Sequence, residues 1–244
     1  MTASTPLKSH IDHLVIAAAS LAEGVHWCES VLGITPEPGG EHPLMGTHNR
    51  LFTLASPAFP STYCEIIAIN SGAACARPAG SKRWFDLDDK ELQLQLANSG
   101  PKLVHFVAST ANLQASSRAL SLQGLNRGEA IHASRMTEQG LLAWQITVRE
   151  DGQRLFYGAL PTLIQWGAAD ISSTTAPAPH PAQNMPPSGV TLQSIQASHP
   201  RPDALRIAYN AVGLGGVEVV FGPPNLMATL HTPRGMVKLE SQGI

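Results

Sequence analysis

The sequence predicts an α+β protein built from three repeated β-α-β-β-β units, and three observations support this fold class. Three stretches each begin with a strand-like run, pass into an amphipathic helical stretch and end in further strand-like runs. A Pro-, Ala- and Ser-rich stretch at 170–189 separates the third unit from the first two. The chain of 244 residues is 43% hydrophobic and 14% charged, which supplies a core and argues against disorder.

The first unit covers about 10–69. It opens with a β-rich run at 11–18 and continues into a helix, for which Ser20 and Glu23 form a capping box and Gly33 provides the stop. Two strands close this unit after a Gly- and Pro-rich loop, at 50–56 and 62–69.

The second unit, about 101–167, repeats this order of elements and is joined to the first by a helix near 85–99. The two units form one predicted domain, 1–169. Its second half is expected to have strands at 102–109, 141–150 and 161–167, with a helix at 111–125. The third unit, 190–244, follows the extended linker. Its strands are expected at 190–198, 217–222, 226–232 and 236–241, with a helix at 203–214.

Composition argues against two kinds of partner. The formal net charge of −2, with 16 Lys plus Arg against 18 Asp plus Glu, disfavours nucleic-acid binding. No run approaches the roughly 20 apolar residues of a membrane span, and the acidic and histidine residues before the first apolar run are unlike a signal peptide. Cys28, Cys64 and Cys75 lack CxxC spacing and predict reduced thiols. A cytoplasmic protein is therefore expected.

Polar residues recur at matching positions of the three units. The opening strands carry His13, His105 and Gln193, and the closing strands carry Glu65, Gln165 and Glu240. Neighbours at period two are largely apolar, so each polar residue shares a strand face with core residues. A buried polar group needs a partner, and one metal ion would satisfy several of them at once.

This repeat, with His on the first strand and Glu on the last, resembles the vicinal-oxygen-chelate superfamily. The stretches GGEHPLMGTHNRLFTL and TYCEIIAI resemble its glyoxalase-like branch. The resemblance covers about 10–167 and extends more loosely over 190–241. It implies that paired units form a cupped, mixed sheet with helices on the outside, and that four inward residues hold one divalent metal.

The resemblance implies a metal-ligand set contributed by units one and two: His13, Glu65, His105 and Gln165. Two imidazoles, a carboxylate and an amide oxygen suit Zn, Ni, Mn or Fe. Gln165 departs from the usual Glu of the family, which leaves the identity of the metal open and counts against dioxygenase chemistry. A competing pairing of units one and three would use Gln193 and Glu240 in place of the second-unit residues.

A second group of polar residues lies at 41–50, between glycines. Its candidate substrate-binding residues are His42, Thr47, His48, Asn49 and Arg50. Thr47 and Asn49 would share one strand face, and His48 and Arg50 the other; the sequence leaves open which face points inward. A polar edge strand without a binding role is the alternative interpretation. Trp144 is a further candidate for the pocket wall, although core packing would explain it too.

The resemblance implies a metal-dependent enzyme, a lyase, isomerase or dioxygenase, that acts on a small vicinal-oxygen substrate. The metal would stabilise an enediolate electrophilically, and Glu65 would carry the proton. The alternative is a metal-free protein that binds or sequesters a small molecule in the same cup. A homodimer is expected because superfamily members often pair.

Overall fold

The protein, in a computed structural model that describes residues 6–167 and 178–243, contains two sheets with helices packed between and around them. The large sheet consists of β1 (Ser9–Ala17), β2 (Glu37–His42), β3 (Thr47–Thr53), β4 (Tyr63–Ile69), β5 (Lys102–Thr110), β6 (Glu129–Thr137), β7 (Gly140–Val148) and β8 (Thr162–Trp166). The small sheet consists of β9 (Thr191–His199), β10 (Val217–Phe221), β11 (Asn225–Thr232) and β12 (Gly235–Glu240). The helices are α1 (Leu21–Trp27), α2 (Lys90–Ser99), α3 (Leu113–Ser121), α4 (Pro181–Asn184) and α5 (Pro202–Ala211).

The large sheet has the strand order β2-β3-β4-β1-β5-β8-β7-β6. Within each unit the opening and closing strands pair in parallel, β1 with β4 and β5 with β8, while β1 and β5 run antiparallel at the centre. The remaining pairs are antiparallel, so the sheet is mixed. The predicted α+β class and cupped mixed sheet are confirmed.

The first helix shows why the local sequence signals were informative. The hydroxyl of Ser20 accepts a hydrogen bond from the backbone N–H of Glu23, which is the contact a capping box requires. The helix continues as a π-helical turn over Cys28–Leu32 and ends at Gly33, whose φ of 78° favours glycine. Between the units, α2 starts after Asp89, which accepts from the N–H of Leu92.

Two strands, β2 and β6, are not predicted by the sequence pattern, which assigns both stretches to loops. They are the two ends of the large sheet. β2 contains Pro38, Gly39 and Gly40, which are tolerated in a strand that pairs on one side only. β6 carries Arg135 where alternation would require an apolar residue. Edge position therefore explains why the hydrophobic signal of both strands is weak.

The two faces of the large sheet belong to different core clusters. One cluster, on the concave face, includes Val15, Ile67 and Ile146. The other, on the helix side, includes Leu14 and Phe106. That second cluster also takes in apolar residues of the third unit: Val190, Leu192, Ile195, Ala197, Leu205, Ala208, Tyr209, Val212, Leu214, Leu226, Ala228, Leu230 and Leu239. The third unit thus packs on the helix side of the large sheet, away from the cup.

The predicted linker, 170–189, is described only in its second half. Residues 168–177, which include its start, lie outside the described residues. Its second half contains the short helix α4, and the N–H of Ala178 donates to the carbonyl of Leu141 at 2.9 Å. This part, 178–186, which we call the covering segment, borders the cup, because Pro181 lines its cavity and the ring of His180 lies against that of Trp166.

In the ranges that the structure describes, no helix has both the length and the apolar character needed to cross a bilayer. All three cysteines are free thiols; Cys28 and Cys64 are buried and Cys75 is partly exposed.

Candidate active site in the cup

The concave face of the large sheet encloses a cavity of about 40 Å³, enough room for a few water molecules. Polar groups from β1, β2, β3, β4 and β6 meet aromatic and aliphatic side chains there. The lining residues are His13, His42, Asn49, Leu51, Tyr63, Glu65, Trp84, Phe85, Arg135, Leu142, Trp144, Ile146, Ile164, Trp166 and Pro181.

His13 projects from β1 with a defined tautomer. Its Nδ1 lies 2.7 Å from the carboxylate Oδ1 of Asp12, so Nδ1 must carry a proton and donate it. Its Nε2 lies 3.7 Å from Oε2 of Glu65, which is too far for a hydrogen bond. The ring of Tyr63 stacks on the imidazole at 4.6 Å between centroids. Nε2 is therefore the reactive nitrogen that faces the cavity.

Asp12 is a buried carboxylate held by three donors. Besides His13, the indole Nε1–H of Trp166 donates to Oδ2 at 2.8 Å, and Nε2 of His180 lies 3.2 Å from the same oxygen. Burial alone would raise the pKa of Asp12, but the hydrogen bonds from His13 and His180 hold it far below its usual range. Asp12 is therefore a permanent negative charge behind His13.

Glu65, on β4, is oriented by two successive hydrogen bonds that begin at the edge strand β2, and we call this pair of bonds the relay. The backbone N–H of Gly40 donates to Oδ1 of Asn49 at 2.7 Å, which fixes the orientation of that amide. Nδ2 of Asn49 then donates to Oε1 of Glu65 at 2.5 Å. Since Oε1 is occupied, Oε2 is the oxygen directed towards His13.

His42 completes the polar side of the cavity. Its Nδ1 lies 3.1 Å from the hydroxyl of Thr47, and its Nε2 lies 4.0 Å from Oε1 of Glu65. Burial lowers the pKa of His42 to about 4, so its ring is neutral near pH 7. His42 can accept or donate a hydrogen bond there without adding charge.

His105, which is predicted as a metal ligand, has both ring nitrogens engaged with other groups. Nδ1 faces the carbonyl of Gly158 at 2.8 Å and must donate to it. Nε2 consequently accepts the backbone N–H of Thr162 at 3.0 Å, so its lone pair is used. Burial and the charge of Arg127 hold the pKa of His105 well below its usual range. His105 is a satisfied core histidine.

Gln165 also lies apart from the cavity. Its Oε1 accepts the backbone N–H of Leu113 at the start of α3, 2.8 Å away, on the helix side of the sheet. Its strand neighbours Ile164 and Trp166 face the cavity instead. The alternative ligands from the third unit, Gln193 and Glu240, are exposed on the small sheet and do not line the cavity.

The superfamily's four-ligand arrangement therefore does not fit these residues. His13 and Glu65 adjoin each other, but the ring nitrogens of His105 are bonded to Gly158 and Thr162. Gln165 lies on the helix side of the sheet. Among residues 6–167 and 178–243, no group of three or more His, Cys, Asp or Glu side chains has a spacing suited to a metal ion.

Of the predicted substrate-binding residues, His42, Asn49 and Trp144 line the cavity. Thr47 lies beneath His42 and supports it. The inward face of β3 is thus the one that carries Asn49. His48 and Arg50 occupy the opposite face and are half-buried.

Several cavity residues have no clear signal in the sequence. The adjacency of Asp12 to His13 was a usable indication, because a carboxylate next to a histidine can fix its tautomer. Arg135 and His180 were not identifiable, because the composition of each stretch predicts a loop or a linker.

Gly39 is needed for the relay to Glu65, since a Cβ there would overlap the backbone carbonyl and side-chain amide of Asn49. We expect Gly39→Ala to lower the free energy of unfolding by about 1–3 kcal/mol and to displace Asn49. Chemical denaturation measures the first effect. Gly215→Ala, where nothing lies within 4 Å of the added carbon, is the matched control. Equal stability of the two variants would contradict the close-packing argument.

Comparisons with known proteins agree with this architecture. The family model described as a glyoxalase-like domain matches residues 11–213. A hypothetical protein of known structure from Staphylococcus aureus is 14% identical, with 95% of this chain and 85% of that chain covered and a TM-score of 0.56, which shows a shared fold. No curated protein matches.

Two epimerase structures give weaker overlaps. Methylmalonyl-CoA epimerase from Mycobacterium tuberculosis is 16% identical, with 70% of this chain and 94% of that chain covered and a TM-score of 0.37. The Streptomyces coelicolor enzyme in complex with 2-nitronate-propionyl-CoA is also 16% identical, with 67% and 98% covered and a TM-score of 0.39. Because the family model spans most of the sequence, this chain belongs to the glyoxalase-like domain family of the vicinal-oxygen-chelate superfamily.

Proposed function

We propose that this protein is an enzyme that moves a proton at the carbon atom next to a carbonyl group of a small molecule. Glu65 is the proton carrier, and His13 is the second acid–base group. One observation carries the proposal: the two side chains line the same cavity with Nε2 and Oε2 only 3.7 Å apart, and no hydrogen bond joins these atoms. Each is held from behind by a separate partner.

The chemistry follows from these partners. Oε2 of Glu65 accepts the proton when the C–H bond breaks, and the electron pair moves onto the carbonyl oxygen. The imidazolium of His13, stabilised by the Asp12 carboxylate, donates its Nε2 proton to that oxygen and becomes neutral. The product of this step is an enol or enediol. With an enediol, Glu65 then gives its proton to the former carbonyl carbon, and His13 takes back a proton from the hydroxyl group on the other carbon, which becomes the new carbonyl. These two transfers complete an isomerisation.

A divalent metal is the electrophile that the superfamily resemblance implies, and members of the superfamily often use one. In this chain, His105 and Gln165 are engaged with backbone groups, so the expected ligand set is incomplete. The proposed step therefore relies on His13 for polarisation of the carbonyl. The predicted cytoplasmic location and homodimer stay predictions.

A metal-free binding protein is the second candidate function. It is favoured by the aromatic wall of the cavity, in which Trp84, Trp144 and Trp166 surround the few polar groups. Such walls are typical of sites that hold an apolar ligand. The paired, oriented acid–base groups are not needed for that role, which is why we prefer the enzyme.

Hydrogen exchange into the substrate tests the proposal without knowledge of the product. The protein is incubated in D₂O with 2-oxoaldehydes, 2-oxo carboxylates and hydroxyketones, and loss of the signal of the proton next to the carbonyl is followed by NMR. We expect catalysed exchange for at least one class, above the rate with heat-denatured protein. Saturable binding with no exchange for any bound compound would favour the binding protein.

A further inference from the structure

We infer that the substrate is a small monocarboxylate and that Arg135 binds its carboxylate group. This inference rests on the proposed function, because it assigns the part of the substrate that does not react. Arg135 lines the cavity together with His13 and Glu65, yet it forms no ion pair with Glu65.

The guanidinium of Arg135 has unused donors inside the protein. Its Nε and Nη1 are shielded from solvent and have no hydrogen-bond partner among residues 6–167 and 178–243. A buried guanidinium donor without an acceptor is costly, since a charged group loses its hydration without compensation. An acceptor supplied by a ligand would remove this cost, and a carboxylate matches the planar donors of arginine.

Arg135 lies between the two edge strands of the large sheet, β6 and β2. It projects from β6 and lies against Gly40 of β2, where even a single methyl group would overlap Nη1. The two edge strands are thereby brought together around one guanidinium. Gly40 also donates its N–H to Asn49. The same glycine therefore contacts Arg135 and orients the amide that holds Glu65.

Arg135 lies at the junction of two cavities. The inner one contains Glu65 and His13; the outer one, about 220 Å³, lies beneath the covering segment. Leu51, Leu142 and Pro181 line both, together with Arg135. A carboxylate at this junction would place the adjacent carbonyl carbon towards the acid–base pair and leave room for a substituent in the outer cavity.

The surrounding charges favour one negative charge on the ligand. The negative charge of Asp12 is balanced by the His13 imidazolium of the proposed step, and His42 is neutral near pH 7. The positive charge of Arg135 and the negative charge of Glu65 then nearly cancel each other. A monocarboxylate adds a single charge next to the arginine, whereas a phosphate dianion or a dicarboxylate would place a second charge in the same enclosed space as Glu65.

Binding of matched pairs of compounds tests the inference. Isothermal titration compares pyruvate and 2-oxobutyrate with uncharged 2,3-butanedione, and inorganic phosphate serves as the dianion probe. We expect Arg135→Met to weaken binding of the oxo acids by about 10- to 100-fold and to leave butanedione unchanged. Arg135→Lys should retain part of the affinity. Arg118→Met, which removes an exposed arginine on α3, is the control and should bind as the wild type does.

Each result separates this inference from the proposed function. Oxo acids that bind no better than butanedione, or equally well to Arg135→Met, would overturn the carboxylate assignment even if exchange still occurs. Preferential binding of phosphate would overturn it too. Arginine-dependent binding of oxo acids with no deuterium exchange would leave the assignment intact and refute the proton-transfer function.

Discussion

Glu65→Gln is expected to reduce catalysed hydrogen exchange by about 10²- to 10⁴-fold while leaving ligand affinity within a few-fold of the wild type. The amide has the size of the carboxylate but cannot accept a proton from carbon. Asn49 still has an oxygen to which Nδ2 can donate, so the fold of the site should persist. Exchange rates at saturating ligand and titration of the same ligand measure the two effects.

Arg50→Gln is the matched control for Glu65→Gln, because Arg50 lies on the same pair of strands but on the opposite face. It should keep the wild-type exchange rate. An unchanged rate in Glu65→Gln would refute the role of Glu65 as proton carrier. Loss of both rate and affinity, with normal thermal stability, would indicate that Glu65 binds the ligand instead.

Asp12→Ala is expected to lower the free energy of unfolding by about 3–5 kcal/mol near neutral pH. The substitution leaves the donors of His13, Trp166 and His180 without their acceptor in a buried place. Urea unfolding followed by fluorescence measures the change. It should also slow hydrogen exchange, because the Nδ1–H of His13 loses the group that orients the ring.

The pH dependence of stability gives an independent check on Asp12. Its folded pKa lies far below the unfolded value of roughly 4, so its contribution is complete above about pH 4 and is lost as the pH falls further. The stability difference between wild type and Asp12→Ala should therefore shrink below about pH 4. His42 acts in the same direction at higher pH, since its pKa falls from 6.5 to about 4 on folding.

Asp151→Ala is the control for this experiment. Asp151 pairs with Arg149 at 2.6 Å, but its side chain is 49% exposed, so water replaces the lost contact. Its removal should cost less than about 1 kcal/mol. Equal losses for the two aspartate variants would show that burial of Asp12 is not what makes its contacts important.

The sequence was most informative where local and repeated signals agreed. The repeat placed His13 and Glu65 on the central, fully paired strands β1 and β4, which face the same cavity. Capping residues and glycines bounded the first helix for local reasons. Apolar alternation accompanied these features. The sequence pattern therefore predicted the fold class and the positions of His13 and Glu65.

Two different causes keep the expected second-unit ligands out of the site. His105 shares its strand face with Val107 of the concave core cluster, and its ring lies 5.4 Å from that of Phe85. Its two ring nitrogens are used by Gly158 and Thr162, and the sequence pattern does not reveal these contacts between distant segments. In β8, Leu163, Ile164 and Trp166 are all apolar, and a shift of one residue reverses the face on which Gln165 lies.

The core shared by the third unit and the helix side of the large sheet has a consequence for substitutions in either part. Residues of the third unit such as Leu192 and Ile195 belong to the same packed cluster as Leu14 and Phe106. The hydroxyl of Tyr209 also donates to the carbonyl of Ala159 across this boundary, at 2.6 Å. Because the two parts share one core, a change of side-chain size on either side of this boundary alters the packing of the other side.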